Sequence, residues 1–241
     1  MTFYIRKSML EAYVRCPLMA YRKFILYADE QPTLSQFAAL GSRFHEFANV
    51  FFDVASEYDP RHWERLIPSS FNFEEQRWVR NFIRFERRRW EQLKASGRLD
   101  EWYPVERELH LTSSSLGIDG TIDRIDWYCR EDNTVVIVEY KCTLSMDYTS
   151  LRRQLHFYKL LYEYADQPTI GTVVGIACIN PRLDAVWFEY VNPHSERAVM
   201  KWIERIRRSI RENVWPKTQN EYVCLFCDVP CRGDEDVEDS C

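Results

Sequence analysis

The segment "IVEYKCT", residues 137–143, ends an apolar run with an acid and a lysine two positions apart. Because side chains two positions apart in a strand project to the same face, Glu139 and Lys141 should lie together, with Val138 and Tyr140 opposite. Such a pair can hold a metal ion and stabilise developing charge. An isolated acid-x-Lys pair, however, is more often a solvated strand end.

Other segments supply further candidate side chains. Asp123, in "GIDGTIDRID", could pair across a hairpin with its carboxylate beside that of Glu139. Two converging carboxylates repel unless a cation joins them, and oxygen ligands suit Mg²⁺ or Mn²⁺. Gln154 and Tyr158 lie four positions apart and so share one helical face. His45, in "GSRFHEF", could add a nitrogen ligand, although a lone histidine is more often a core or surface residue.

The first hundred residues are predicted to be mainly helical. Apolar residues recur at helical spacing in "KSMLEAYVRCPLMAYRKFI", where Cys16-Pro17 should break the helix, and again from Ser35 onward. Asn72 and Glu75 form a capping-box pattern that predicts the start of a third helical stretch, and Gly97 suits its end. A helical amino-terminal lobe is therefore expected.

The pattern changes to strands after residue 100. The predicted strands are "PVERELHLT", "LGIDGTIDRIDWY", "TVVIVEYK", "TVVGIACI" and "AVWFEYV". The turn residues "REDN" join the second and third strands as an antiparallel hairpin. A helix from about Ser150 separates the third and fourth strands, and a basic helix follows the fifth. This order predicts an α/β core with a mixed sheet.

Composition indicates a compact protein whose partners cannot be judged from net charge. The chain has 241 residues, 46% hydrophobic, and a net charge of −5. Five of its 37 acids lie in the terminal "DEDVED", which leaves 32 acids against 32 basic residues. The amino terminus does not resemble a signal peptide, and no segment approaches the roughly 20 apolar residues of a membrane helix. We expect a cytoplasmic protein, without a membrane partner, whose clustered cysteines bind metal.

Arginine clusters are candidates for nucleic-acid contacts. Arg87, Arg88 and Arg89 lie in "RFERRRW", and Arg152 and Arg153 lie close in sequence to the proposed site. Guanidinium groups pair well with phosphates. A solvated face balanced by nearby glutamates is at least as good an interpretation of one such run taken alone.

The motifs together resemble a known family. They follow in chain order: His45, Asp123 in "GTIDRID", Glu139 and Lys141 in "VEYK", and Gln154 and Tyr158 in "QLHFY". This succession, spanning nearly the whole chain, resembles the RecB-like nucleases of the PD-(D/E)XK superfamily. The resemblance implies that His45, Asp123, Glu139 and the Tyr140 carbonyl bind Mg²⁺ or Mn²⁺. It also implies that Lys141 is catalytic, that Gln154 and Tyr158 orient the site, and that Glu106 is a further candidate acid.

The carboxyl-terminal cysteines suggest a second metal site. Cys224, Cys227 and Cys231 form C-x2-C-x3-C and need a fourth ligand. The family's iron–sulfur branch, which includes CRISPR-adaptation RecB-like nucleases and AddB-type nucleases, implies Cys16 and a [4Fe–4S] cluster. The last spacing is shorter than is usual there, so Cys241 is an alternative ligand and a four-cysteine zinc site an alternative metal centre. The remaining cysteines are interpreted as buried thiols: Cys129, Cys142 and Cys178.

These observations and the resemblance lead to one functional expectation. Residues 1–241 should form a single restriction-endonuclease-like nuclease domain, with a helical part (1–100), a catalytic α/β core (101–213) and a cysteine segment with an acidic tail (214–241). The enzyme should be a metal-dependent deoxyribonuclease, an exonuclease on single-stranded DNA or DNA ends, in CRISPR adaptation or DNA repair. The alternative is a non-catalytic or weakly catalytic DNA-end-binding subunit of such a complex.

Overall fold

The described residues of the computed structural model are 3–28, 36–225 and 227. The chain divides into two compact units, Met1–Tyr4 with Thr33–Val199, and Ile5–Pro32 with Met200–Cys241. The first unit contains the sheet and the candidate catalytic residues. The second contains Cys16, Cys224 and Cys227. The grouping of the whole chain into a single nuclease domain stays a prediction.

Helices dominate the amino-terminal part, as the apolar spacing predicts. The described residues form seven α-helices: α1 (Lys7–Arg15), α2 (Pro17–Tyr21), α3 (Gln36–Ala55), α4 (Phe73–Ala95), α5 (Tyr148–Glu163), α6 (Pro193–Glu212) and α7 (Glu221–Leu225). A π-helical turn covers Arg22–Leu26, and 3-10 turns cover Pro60–Leu66 and Leu99–Glu101. No helix among the described residues is both long and apolar enough to cross a membrane.

Local sequence signals set the ends of several helices. Cys16 is extended, because proline disfavours a helical conformation in the residue before it, and α1 therefore ends there. Pro17 then begins α2, since the first residue of a helix needs no hydrogen-bonded amide. At α4, Asn72 Oδ1 accepts from the Glu75 amide at 2.9 Å, and Glu75 Oε2 accepts from the Asn72 amide at 2.8 Å. The expected capping box is therefore confirmed.

Five strands form one mixed sheet. They are β1 (Glu106–Ser113), β2 (Ile118–Cys129), β3 (Thr134–Tyr140), β4 (Thr172–Asn180) and β5 (Ala185–Tyr190), in the spatial order β1-β2-β3-β4-β5. All neighbouring pairs are antiparallel except β3 and β4, which are parallel. A parallel pair needs a long crossover connection, and that connection contains α5. The predicted α/β class and mixed sheet are confirmed.

A core of aromatic side chains fixes the end of β3. Phe44 on α3 and Phe82 on α4 make edge-to-face contacts with the Tyr140 ring, at centroid distances of 5.6 Å and 5.9 Å. Val138 belongs to the same buried cluster. Edge-to-face aromatic pairs stabilise beyond the area that they bury. The side chains of β3 alternate as predicted, with Val138 and Tyr140 in this core.

A buried ion network lies beside the same strand end. The Arg124 guanidinium, 1% exposed, donates to Glu86 at 2.7 Å, to Asp126 at 2.8 Å and to the Tyr140 hydroxyl at 3.0 Å. It also lies 4.8 Å from the centroid of the Phe52 ring. Because these charges are removed from water, the stability of the fold depends on each of them keeping a partner of opposite charge.

Replacing Arg124 by methionine is expected to destabilise the protein by about 3–5 kcal/mol, because buried Glu86 and Asp126 would lose their nearest cation and keep only Arg89, at 3.4 Å from each. Urea unfolding followed by circular dichroism measures the change. The matched control is Arg130→Met, which breaks an exposed pair with Asp100 at 2.9 Å and should cost about 0–1 kcal/mol. Equal losses in the two variants would contradict the structural role assigned to Arg124.

Candidate metal centre and active site

The carboxylate of Asp123 is fixed by the pairing of β2 with β3. Arg124, the next residue, lies opposite Val138 in the antiparallel register. The Tyr140 backbone amide donates a 2.7 Å hydrogen bond to Asp123 Oδ2. Asp123 itself is 9% exposed. The sheet thus holds the predicted acid of β2 against the end of β3.

A histidine and two acids converge at this point. His45 Nδ1, on α3, lies 3.6 Å from Asp123 Oδ1 and 3.9 Å from Glu108 Oε1, on β1. One ligating atom from each of the three side chains lies within 4.8 Å of the others. The two carboxylates supply the hard oxygen ligands that suit Mg²⁺ and Mn²⁺, and the imidazole can add a nitrogen ligand. The residues present therefore fit a divalent-metal site.

The protonation of His45 reports the charge around it. Burial alone would lower the pKa of His45. The hydrogen bond with Asp123 and the negative charges of Asp123, Glu139 and Glu108 outweigh burial, so the pKa is raised above 6.5. Three acids thus stabilise a positive charge at this position. A bound divalent cation would be stabilised by the same three negative charges.

The acid and the lysine of β3 are in direct contact. Lys141 Nζ donates to Glu139 Oε1 at 2.6 Å, and the two side chains are 27% and 2% exposed. The Lys141 amide donates to the Ile179 carbonyl of β4 at 3.0 Å, which continues the sheet beyond Tyr140. The spacing of these two residues along the strand thus brings their side chains together, with the amine on the more accessible side.

Tyr158 faces the acids from α5. Burial, followed by the charges of Glu139, Asp123 and Glu108, raises the pKa of Tyr158, so its hydroxyl stays protonated at neutral pH. A Cβ added to Gly120 would lie 3.2 Å from Tyr158 Cε1, which shows how closely the ring packs on β2. The fold therefore holds a neutral hydroxyl toward the carboxylates.

Gln154 lies one helical turn before Tyr158. Its Nε2 donates to Ser150 Oγ at 2.9 Å within α5. The serine is in the first turn of the helix, where the Asp147 side chain caps the Ser150 amide. Gln154 is thus oriented by its own helix.

A cleft of about 530 Å³ opens beside the acids. It is lined by residues of α3 and β1: Gly41, Ser42, His45, Glu46, Asn49 and Glu108. His45 and Glu108 are shared by the cleft and the metal-ligand group. A ligand in the cleft would thus reach the candidate metal ligands.

The sequence singled out Glu106 on β1, whereas the structure brings Glu108 into the ligand group. Glu106 and Glu108 lie two positions apart and so share one face of the predicted strand. The two-residue period of a strand therefore cannot show which of them reaches the site. The strand register separates them: Glu106 lies opposite Ile125, and the pairs on either side of Glu108 place it opposite Asp123. Only knowledge of the strand pairing could have identified Glu108.

The first arginine run is largely engaged within the fold. Arg87 Nε donates to the Pro60 carbonyl at 2.9 Å, and Arg89 Nη1 donates to the Trp102 carbonyl at 2.8 Å. The side chain of Arg88 is exposed. Two of the three residues therefore have structural contacts, and Arg88 is the more accessible for phosphate. Phosphate binding by the run stays a prediction.

The second arginine pair lies on α5. Arg152 Nε donates to Glu189 Oε1 at 2.8 Å, and Arg153 is half-buried. The carboxylate of Glu189 already accompanies the Arg152 guanidinium, so a phosphate would have to compete with it. Their contact with DNA likewise stays a prediction.

The described cysteines have different surroundings. Cys16 is buried, and its Sγ accepts from the Thr218 amide at 3.4 Å. Cys224 is exposed and Cys227 is half-buried, with the Cys227 amide 3.3 Å from the Cys224 carbonyl. Cys231 and Cys241 lie outside the described residues. A cluster with these ligands stays a prediction.

Two other cysteines lie near the acids. Burial raises the pKa of Cys142 and that of Cys178 to about 12. Both are therefore neutral thiols at physiological pH, and thiolate is the form that attacks or binds metal. This agrees with their interpretation as packed thiols.

Comparisons with known proteins give a family and a fold. The sequence profile of the PD-(D/E)XK nuclease superfamily matches residues 7–232. The structure is similar to a Eubacterium rectale protein described as a putative exonuclease, with a TM-score of 0.53 and 14% identity over 94% of this chain and 86% of that one. A search of curated protein sequences gives no match. At this identity, the structural likeness shows the fold alone.

Mn²⁺ is expected to stabilise the native protein against heat, because the ion binds the folded site and not the unfolded chain. At a hundred times the dissociation constant the gain is about 2.7 kcal/mol. Asp123→Asn removes a ligand charge and should lose most of this gain, whereas Asp132→Asn, in the exposed turn after β2, should keep it. Melting curves with Mn²⁺ and with EDTA measure both; an undiminished shift in Asp123→Asn would refute the site.

Proposed function

The chain belongs to the PD-(D/E)XK nuclease superfamily, and from that membership we propose that it is a divalent-metal-dependent deoxyribonuclease that hydrolyses phosphodiester bonds. The observation that carries this proposal is the meeting of a ligand group with an acid–lysine pair. His45 contacts Asp123 at 3.6 Å, and Lys141 contacts Glu139 at 2.6 Å at the end of the neighbouring strand. The negative charges of Asp123 and Glu139 raise the pKa of His45 and that of Tyr158.

His45, Asp123, Glu139 and the Tyr140 carbonyl are the proposed ligands of Mg²⁺ or Mn²⁺. When bound, the cation would supply Lewis-acid stabilisation of negative charge on the phosphate. Asp123 is oriented for this role by the Tyr140 amide, which engages Oδ2 and leaves Oδ1 on the side of His45. The ligands therefore come from α3, β2 and β3, and the sheet register fixes two of them.

Lys141 is proposed to act on the reacting phosphate. Its ammonium group can stabilise charge that develops on a phosphate oxygen, or orient the attacking water. Its contact with Glu139 restricts where the amine lies. Tyr158, held neutral, can donate a hydrogen bond, and Gln154, one turn earlier on the same helix face, can orient the strand or the site.

The proposed substrate is single-stranded DNA or a DNA end, cleaved as an exonuclease. The resemblance to RecB-like nucleases and the description of the Eubacterium rectale neighbour as a putative exonuclease support this choice. Arg88, which is exposed on α4, is a candidate phosphate contact. We place the enzyme in the cytoplasm, in CRISPR adaptation or in DNA repair and recombination, with protein partners in such a complex.

A non-catalytic or weakly catalytic subunit that binds DNA ends is the alternative. A binding protein would need positive charge and a groove, but not an acid–lysine pair at a strand end together with a histidine–acid group. The contact of Lys141 with Glu139 therefore favours the enzyme.

We also propose a structural [4Fe–4S] cluster bound by Cys16, Cys224, Cys227 and Cys231, with Cys241 as an alternative last ligand. The sequence spacing and the iron–sulfur branch of the resembling family support it. Four thiolates would equally suit a structural zinc ion, which is the alternative. Because the ligands lie near opposite ends of the chain, the site would close a very long loop.

Lys141→Ala and Glu139→Ala are each expected to lower the rate of DNA cleavage by about 100-fold or more, the range of a positioned acid–base or charge-stabilising group. End-labelled single-stranded DNA with Mn²⁺ or Mg²⁺ provides the assay, and EDTA should abolish cleavage. Lys201→Ala, an exposed lysine on α6, is the matched control and should cleave at the native rate. Cleavage that survives both site substitutions, or EDTA, would remove the proposal.

Anaerobically purified protein is expected to contain about four iron and four sulfide per chain. Cys16→Ala should lose this iron and destabilise the fold, on the order of 4 to 5 kcal/mol if loop closure resembles that of a disulfide. Cys129→Ala, at the end of β2, is the control and should keep it. One zinc without sulfide would favour the zinc alternative; native stability of Cys16→Ala without either metal would refute both.

A further inference from the structure

Glu108 has an unusual backbone conformation for a residue within a strand. Its φ is +47°, in the left-handed region of backbone conformation that residues other than glycine, asparagine and aspartate seldom adopt. It is the third residue of β1, and the pairs on either side are Arg107 with Arg124 and Leu109 with Ile122. Those two pairs place Glu108 directly opposite Asp123.

This position opposes two acids across neighbouring strands. Like charges directly opposite one another destabilise a sheet, and a positive φ at glutamate adds backbone strain. Glycine or asparagine at position 108 would relieve the strain, and a neutral side chain would relieve the repulsion. His45, 3.6 Å from Asp123 and 3.9 Å from Glu108, offsets part of the repulsion when it is protonated, and a cation shared by the two carboxylates would offset it as well.

The side-chain geometry agrees with a shared cation. Glu108 Oε1 lies 3.9 Å from His45 Nδ1, and ligating atoms of Glu108, His45 and Asp123 all lie within 4.8 Å of one another. The Glu108 side chain is 36% exposed and lines the 530 Å³ cleft. A hydrated ion could therefore approach it from solvent.

We propose that Glu108 is a further ligand of the divalent cation, contributed by β1 in addition to His45, Asp123 and Glu139. The inference rests on the metal dependence proposed above. A third carboxylate makes the donor set richer in hard oxygen, which favours Mg²⁺ and Mn²⁺ over softer ions. Glu106, two residues earlier on β1, lies opposite the apolar Ile125 and outside this group of ligating atoms.

The test is the affinity of metal-free protein for Mn²⁺, followed by the electron paramagnetic resonance signal of the free ion. Glu108→Gln keeps the size of the side chain and removes its charge, and the dissociation constant should rise at least tenfold. Glu108→Asn, which tolerates a positive φ, should show the same loss and covers the case in which the glutamine variant folds poorly. Glu106→Gln is the matched control and should stay within twofold of the native protein.

Thermal melting without metal separates ligation from a structural role. At a pH where His45 is neutral, so that its pairing with Glu108 does not contribute, a ligand that repels Asp123 should leave metal-free Glu108→Gln at least as stable as the native protein. Unchanged Mn²⁺ affinity in both variants, or a loss of equal size in Glu106→Gln, would overturn the proposal.

The inference and the nuclease proposal can fail separately. If DNA is cleaved in a Lys141-dependent way while both Glu108 variants bind Mn²⁺ normally, only the ligand role of Glu108 is lost. If Mn²⁺ binding falls tenfold in both variants while no DNA is cleaved, Glu108 stands and the nuclease proposal fails.

Discussion

The candidate site depends on a single backbone contact, the 2.7 Å hydrogen bond from the Tyr140 amide to Asp123 Oδ2. This contact requires the observed register of β2 against β3, in which Arg124 lies opposite Val138. A slip by one residue would turn every side chain of β2 to the other face of the sheet. Asp123 would then enter the aromatic core, and Arg124 would face the site.

Along β2 and β3, side chains that stabilise the core alternate with side chains of the candidate site. Tyr140 and Arg124 meet in the core, where the guanidinium donates to the phenol at 3.0 Å. Their sequence neighbours, Glu139 and Asp123, both raise the pKa of His45 through their negative charges. Because neighbouring residues point to opposite faces, the network that stabilises β2 and β3 also fixes the site carboxylates. The site is therefore positioned by regular secondary structure, which holds ligands more rigidly than loops do.

The sequence predicted what depends on local patterns and missed what depends on tertiary contacts. The acid–lysine contact follows from strand period, and the start of α4 follows from a capping box between Asn72 and Glu75. Glu108 could not be distinguished from Glu106, because the difference arises from register with β2 and from a positive φ. Arg89 was grouped with surface arginines, but it contacts two backbone carbonyls and the carboxylate of Asp126, which approach it only in the folded chain.

Acids of the core and of the site are balanced by different cations. Glu86 and Asp126 are matched by Arg124 and Arg89, whose charges are permanent, so their contribution is structural at any physiological pH. Asp123 and Glu108 instead converge on His45, whose positive charge those acids favour but which becomes a neutral nitrogen donor on losing its proton. Metal binding in general releases such protons, so a divalent ion at the proposed site would compete with this proton. The same fold thus contains one charge network whose cations are permanent and one whose cation depends on the protonation of His45.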